Sequence, residues 1–138
     1  GLRRPTMFVA QRAAEVELAA GDPERGERHL RAALALADEL GEADQRAQLA
    51  AKLARVLSDR GRALEAAELA QRSRHTAPSE SVTAQVLWRA AMAAVRSASS
   101  DHSAARQYLE EAVALAPDEL QLVAADLTTQ LASQRRQG

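Results

Sequence analysis

Apolar side chains recur every three or four residues along nearly the whole chain, the spacing that lines one face of an α-helix. No stretch alternates with the period of two that a half-buried strand requires. The first helical stripe is Val9, Ala13, Val16 and Ala20, the second Leu30, Ala33, Leu34 and Ala37, the third Leu49, Leu53, Val56 and Leu57. A fourth segment carries Ala63, Ala66, Ala67 and Ala70, a fifth Val82, Val86, Ala90 and Ala93, and a sixth Ala105, Leu109, Ala112 and Ala116. Leu120, Val123, Ala124, Leu127 and Leu131 mark the last, so the pattern predicts an all-α chain of seven amphipathic helices.

The breaks between stripes carry turn chemistry. Gly21-Asp22-Pro23 sets a residue tolerant of left-handed backbone before an N-cap and a first-turn proline. Gly41, Gly61, Pro78-Ser79, Ser100-Asp101 and Pro117-Asp118 stop the later helices. These connections are too short for domain boundaries, so 1–138 reads as one domain. Gly21, Gly61 and Ser100 recur at a spacing of about 40 residues, within the range of stacked repeats. Helix pairs over about 6–41, 42–78 and 79–117 follow, with a capping helix over 118–136 covering the exposed end.

The third unit resembles the second half of a tetratricopeptide repeat: Asp101 opens a helix, Ala105, Leu109 and Ala112 take the small, large and small packing positions, and Pro117 closes it. The second unit is similar through Leu53, Ala54, Leu57, Ala66 and Pro78, and the first through Ala14, Gly26, Leu30 and Ala33. The units exceed the family's usual length of about 34 residues, and Glu17 and Arg96 stand where the family prefers an aromatic. The resemblance implies a right-handed α-α superhelix that holds other protein segments. The segments 84–89 and 110–116 further resemble the C-terminal helical repeats of large actinobacterial signalling proteins bearing nucleotide cyclase or ATPase domains. That resemblance implies a scaffold or a structural spacer within a bacterial regulator, and Gly1 reads as a residue left by tag cleavage on a piece of a longer protein.

Composition narrows the function by exclusion. A net charge of -1 offers no positive field for nucleic acid or anionic lipid. No apolar run approaches the roughly 20 residues of a membrane span, so neither partner is expected and the chain reads as cytoplasmic. The absence of cysteine removes disulfides, thiolate metal sites and cysteine nucleophiles. With Phe8, Trp88 and Tyr108 the only aromatics, an aromatic-lined ligand pocket is disfavoured. Abundant alanine, with Lys52 the sole lysine, suggests a GC-rich bacterial genome.

Candidate chemistry is sparse. His29, His75 and His102 belong to no metal-ligand spacing and read as solvated surface histidines, so no metal or cofactor is expected. Asp38-Glu39 and Glu110-Glu111 diverge on a helix instead of facing one another, and no glycine-rich phosphate loop occurs, so no catalytic residue is assigned. Glu24 with Arg28, Glu27 with Arg31 and Glu68 with Arg72 read as i,i+4 pairs on solvated faces. Trp88, Phe8 and Tyr108 read as packing residues. The chaperone-tail clamp of the resembled family is absent, since only Lys52 fits among Gln11, Glu15, Lys52, Leu87 and Ala91.

What remains is protein interaction, with a peptide, a protein, or another domain of the same chain. By the family's facing pattern the groove residues would be Gln11, Glu15, Gln48, Arg55, Ala90 and Ala94. The rival expectation for Arg55 is a solvated i,i+4 pair with Asp59.

Overall fold

The computed structural model describes residues 1–137, excepting the side chains at 119, 121–125 and 137. Helices α1 (Arg3–Ala19), α2 (Pro23–Leu40), α3 (Ala43–Asp59), α4 (Ala63–Thr76), α5 (Val82–Ala98), α6 (His102–Leu115) and α7 (Gln121–Gln137) follow in order. A 3₁₀ turn at Asp118–Leu120 leads into α7, and there is no strand among the described residues.

The turns repeat at the level of backbone geometry. Gly21, Gly61 and Ser100 all adopt left-handed backbone, with φ of 82°, 80° and 65°, and each ends the first helix of a pair. Glycine adopts that conformation freely, whereas the serine Cβ crowds its own carbonyl, so the third turn is the strained copy. Gly41 closes α2 in the same conformation, its N–H bonding to the Ala37 carbonyl at 2.9 Å. Asp22, Ser81 and Asp101 cap α2, α5 and α6 by accepting backbone N–H bonds from Arg25, Ala84 and Ala104.

Within each pair the helices run antiparallel: Arg3 and Arg4 at the start of α1 meet Glu39 and Glu42 around the end of α2. The second helices share one buried register. Counting from the left-handed residue, Gly26, Ala66 and Ala105 align, as do Leu30, Ala70 and Leu109, and then Ala33, Ser73 and Ala112, all buried. Small residues there let paired helices approach closely. A Cβ on Gly26 would come within 2.5 Å of Leu18 Cδ2. Ser73 satisfies its buried hydroxyl by donating to the Ala47 carbonyl at 2.7 Å.

Between pairs, α5 lies parallel to α3: Ser81 at the head of α5 donates to Asp44 at the head of α3, and Ser58 donates to Ala94 near both C-terminal ends. The helix α1 packs along α2 and stands off α3, whereas α5 packs along α3. Three clusters of buried aliphatic residues run through the stack, and Leu127 and Leu131 of α7 close the last of them.

The stripes of α2 and α3 are buried as expected, but α1 is rotated from its expected face. Met7 and Ala14 are fully buried, whereas Val9 and Val16 are more than half exposed. A terminal helix has one neighbouring pair instead of two, so its second apolar face meets solvent. Phe8 shares this fate at 47% exposed and is not a packing residue of the core. The side chains of Val123 and Ala124 lie outside the described residues. His102 is held, Nδ1 to Gln134 Oε1 at 2.7 Å, instead of standing free in solvent.

Candidate protein-interaction cleft

Because α1 stands off α3, a cleft opens between them. One cavity of 530 Å³ is floored by Ala14, Leu18, Leu30 and Val56 and rimmed by Gln11, Glu15, Lys52, Arg55 and Asp59. A smaller one of 180 Å³ adds Phe8, Gln45 and Gln48 and shares Gln11 and Glu15 with the first. Four of the six expected groove residues, Gln11, Glu15, Gln48 and Arg55, therefore line one continuous cleft.

The other two do not join it. Ala90 is fully buried in the cluster that Leu127 and Leu131 complete, so it offers no surface. Ala94 faces a separate cavity with Ser58, Ser97, Gln130 and Gln134 between α5 and α7. The cause is α7, which packs along α6 and leans its leucines over α5. Gln134 anchors its far end by donating to Ser97 Oγ at 2.7 Å.

Arg55 lines the cleft, but its pairing departs from the expected one with Asp59. Its Nη2 donates to Asp126 Oδ2 on α7 at 3.0 Å, not to Asp59, and Gln130 donates to the same carboxylate oxygen at 2.7 Å. It sits on the cleft rim as the strut between α3 and α7. The cleft's uncommitted cation is Lys52, half-buried, with no described carboxylate within ion-pair distance. Burial pushes its ammonium below the ordinary value of 10.5, against the opposing pull of Glu15. Two amide oxygens complete the unsatisfied chemistry: Gln11 Oε1 and Gln45 Oε1 are buried and accept no hydrogen bond. Gln48 is engaged locally, donating to Asp44 at 3.0 Å.

The cleft thus combines an aliphatic floor with unpaired donors and acceptors on its walls. Such a surface holds main-chain amides and an aliphatic side chain; it presents no convergent nucleophile and base. No three His, Cys, Asp or Glu side chains converge on a metal position among the described residues, and no described helix is long and apolar enough to cross a membrane.

Sequence reasoning missed the most constrained charge in the molecule. Glu27 is buried, not solvated: it accepts from Arg31 Nε at 2.9 Å and Arg62 Nη1 at 2.6 Å. Arg60 Nη1 stands 3.5 Å from its Oε1 in charge contact without hydrogen-bond geometry. Burial favours the protonated carboxyl, but the hydrogen bonds and charges of Arg31 and Arg62 outweigh it and hold Glu27 below its ordinary value of 4.5. Arg72 pairs not with Glu68 but with Asp38, which Arg46 also meets at 3.2 Å. The i,i+4 spacing signalled Glu27 with Arg31; the cross-pair partners had no local signal. No family model, no curated protein and no solved structure matches this chain.

Proposed function

We propose that this domain is a non-catalytic protein-interaction scaffold of the tetratricopeptide type, binding a partner segment in the cleft between α1 and α3. The observation that carries the reading is the cleft itself, where an aliphatic floor lies beneath Lys52, which meets no described carboxylate, and beneath the Gln11 and Gln45 side-chain oxygens, which accept no hydrogen bond among the described residues. Burying such groups costs roughly 1 to 3 kcal/mol each when unpaired, and a bound main chain would supply the missing bonds. The concave surface of the resembled family would here be open at its N-terminal half and filled by α7 at its C-terminal half. Exposed Leu2, Val9 and Val16 on the outer face of α1 favour a second role, contact with a neighbouring domain of a larger bacterial signalling protein.

A displayed peptide library selected against the domain tests the cleft. The leading peptide should shift the amide resonances of Gln11, Gln45 and Lys52. Its affinity should fall at least tenfold, about 1.4 kcal/mol, with Lys52→Glu, while Arg28→Glu on α2 leaves it unchanged. Arg55→Glu is a poorer probe because it also repels Asp126 and loosens α7. Peptides whose binding ignores Lys52→Glu, or that shift only α6 and α7, would overturn the cleft reading.

A further inference from the structure

A second cleft, between the end of α4 and α6, is built around the only tryptophan. Its cavity of 470 Å³ is lined by Arg74, Trp88, Arg89, Arg96, Asp101 and Tyr108 among others. Trp88 lies almost wholly buried as the floor, its Nε1 donating to Gln85 Oε1 at 3.0 Å, with the Tyr108 ring edge-on at 6.0 Å. Two guanidinium groups lie over the indole, Arg89 at 4.2 Å and Arg74 at 5.1 Å from its centroid. The ring's negative face holds cations there without neutralising them.

The three arginines are not equally occupied. Arg89 is committed: it donates to Glu111 at 2.9 Å and twice to Gln85. Asp101 spends one oxygen capping α6 at Ala104. Arg74 has only a 3.5 Å bond to the Tyr108 hydroxyl, and neither Arg74 nor Arg96 has a described carboxylate within ion-pair distance. Arg96 aligns with the fully buried Leu57 of the second unit and with Glu17 of the first, so the place that the central unit fills with hydrocarbon carries a cation here. The equivalent cleft between α2 and α4 contains its own acids: Glu27 meets Arg31 and Arg62, Asp38 meets Arg46 and Arg72, and Glu65 meets Arg31.

We propose that the cleft between α4 and α6 is a docking surface for an acidic, extended protein segment whose carboxylates pair with Arg74 and Arg96. The two cations are held about two helical turns apart along α5, from Trp88 to Arg96, or about 12 Å. An extended chain covers that distance in about four residues, so an acid at each end of a tetrapeptide stretch reaches both. The Arg74 guanidinium, preset by the aromatic floor, loses little freedom on pairing. Nucleic acid fits less well. The indole is covered by guanidinium groups and offers no exposed face for base stacking, and Asp101 and Glu111 interrupt the positive surface a phosphate backbone would follow. This surface is independent of the cleft between α1 and α3.

Trp88 reports the test, since its emission comes from the site itself. The probe is an end-capped dodecapeptide of glutamate and serine, titrated into the whole domain at low ionic strength. A saturable change in emission is expected, weakening with added salt and at least tenfold in the double variant Arg74→Ala/Arg96→Ala, while Arg12→Ala on α1 leaves it within twofold. Should that variant fold poorly, Arg74→Gln/Arg96→Leu restores the hydrocarbon of the second unit and removes both charges. No saturable change, retention of affinity in a folded double variant, an equal loss with Arg12→Ala, or tighter binding of an oligothymidylate of the same charge would each overturn the proposal.

Discussion

The two inter-unit clefts, one between α2 and α4 and the other between α4 and α6, are built on the same repeat yet treat charge in opposite ways. In the first, Glu27 of α2 draws together Arg31 of the same helix and Arg60 and Arg62 of the turn between α3 and α4, and Arg31 reaches on to Glu65 at 2.8 Å. In the second, the residues aligned with Glu27 and Arg31 are Ala67 and Gln71, and the acceptor at the centre is gone. Arginines remain: Arg89 pairs with Glu111 beside the indole, whereas Arg74 lies over Trp88 and meets no described carboxylate. A repeat fixes where side chains point; the residue at each place decides whether an interface closes on itself or stays available to something else.

The sharpest way to break this comparison is to remove an arginine-pairing acid from each cleft, Glu27 from the first and Glu111 from the second. Glu27→Gln should cost about 2 kcal/mol in urea unfolding, since it removes the buried carboxylate that Arg31 and Arg62 hydrogen-bond and leaves Arg60 and Arg62 without a described counter-charge. Glu111→Gln, on a carboxylate 40% exposed, should cost only about 0.5 kcal/mol. Equal losses would mean the first cleft is no more integrated than the second. The difference should also depend on pH. A carboxyl held below 4.5 contributes stability that is complete above 4.5 and is lost as pH falls through the folded-state value. The gap between wild type and Glu27→Gln should therefore narrow only on the acid side of 4.5.

Lys52 sharpens the contrast between paired and unpaired cations. Burial lowers its affinity for the proton, so its charged form opposes folding. Lys52→Met should stabilise the domain by about 1 kcal/mol at neutral pH. Because the unfolded chain binds that proton more tightly than the folded one, the wild type regains stability as pH rises toward 10.5, where the advantage of the variant should vanish. A gain that persists above 10.5 would assign the effect to packing instead of charge.

The smallest expected effect concerns the turn of the third unit. Ser100→Gly matches Gly21 and Gly61 and should stabilise by about 0.5 kcal/mol, the relief of left-handed strain less the entropy glycine adds to the unfolded chain. It should leave the Trp88 response to the acidic peptide unchanged. A changed response would tie the open character of the second cleft to its turn and not to its missing acid.

The helices and their turns were legible because both signals are local. Periodicity named the buried stripes of α2 and α3, and left-handed backbone appears at Gly21, Gly61 and Ser100 where the junctions recur. The candidate cleft was legible in half: Gln11, Glu15, Gln48 and Arg55 share it. Ala90 and Ala94 failed because the position of α7 depends on packing against α6, which no spacing within α5 records. The ion partner of Arg55 was illegible for the same reason, Asp126 being 71 residues away.

Local spacing was enough for an all-helical chain, for the places where helices end, and for the inward stripes of α2 and α3, since each follows from side-chain spacing within a few turns and from backbone limits of single residues. Only packing decided that α1 stands off α3, that α7 covers α5, and that Glu27 is a buried hub while Arg74 and Arg96 meet no described carboxylate. Those outcomes depend on which helices touch, and a side chain's partners across an interface come from distant parts of the chain whose proximity only packing creates.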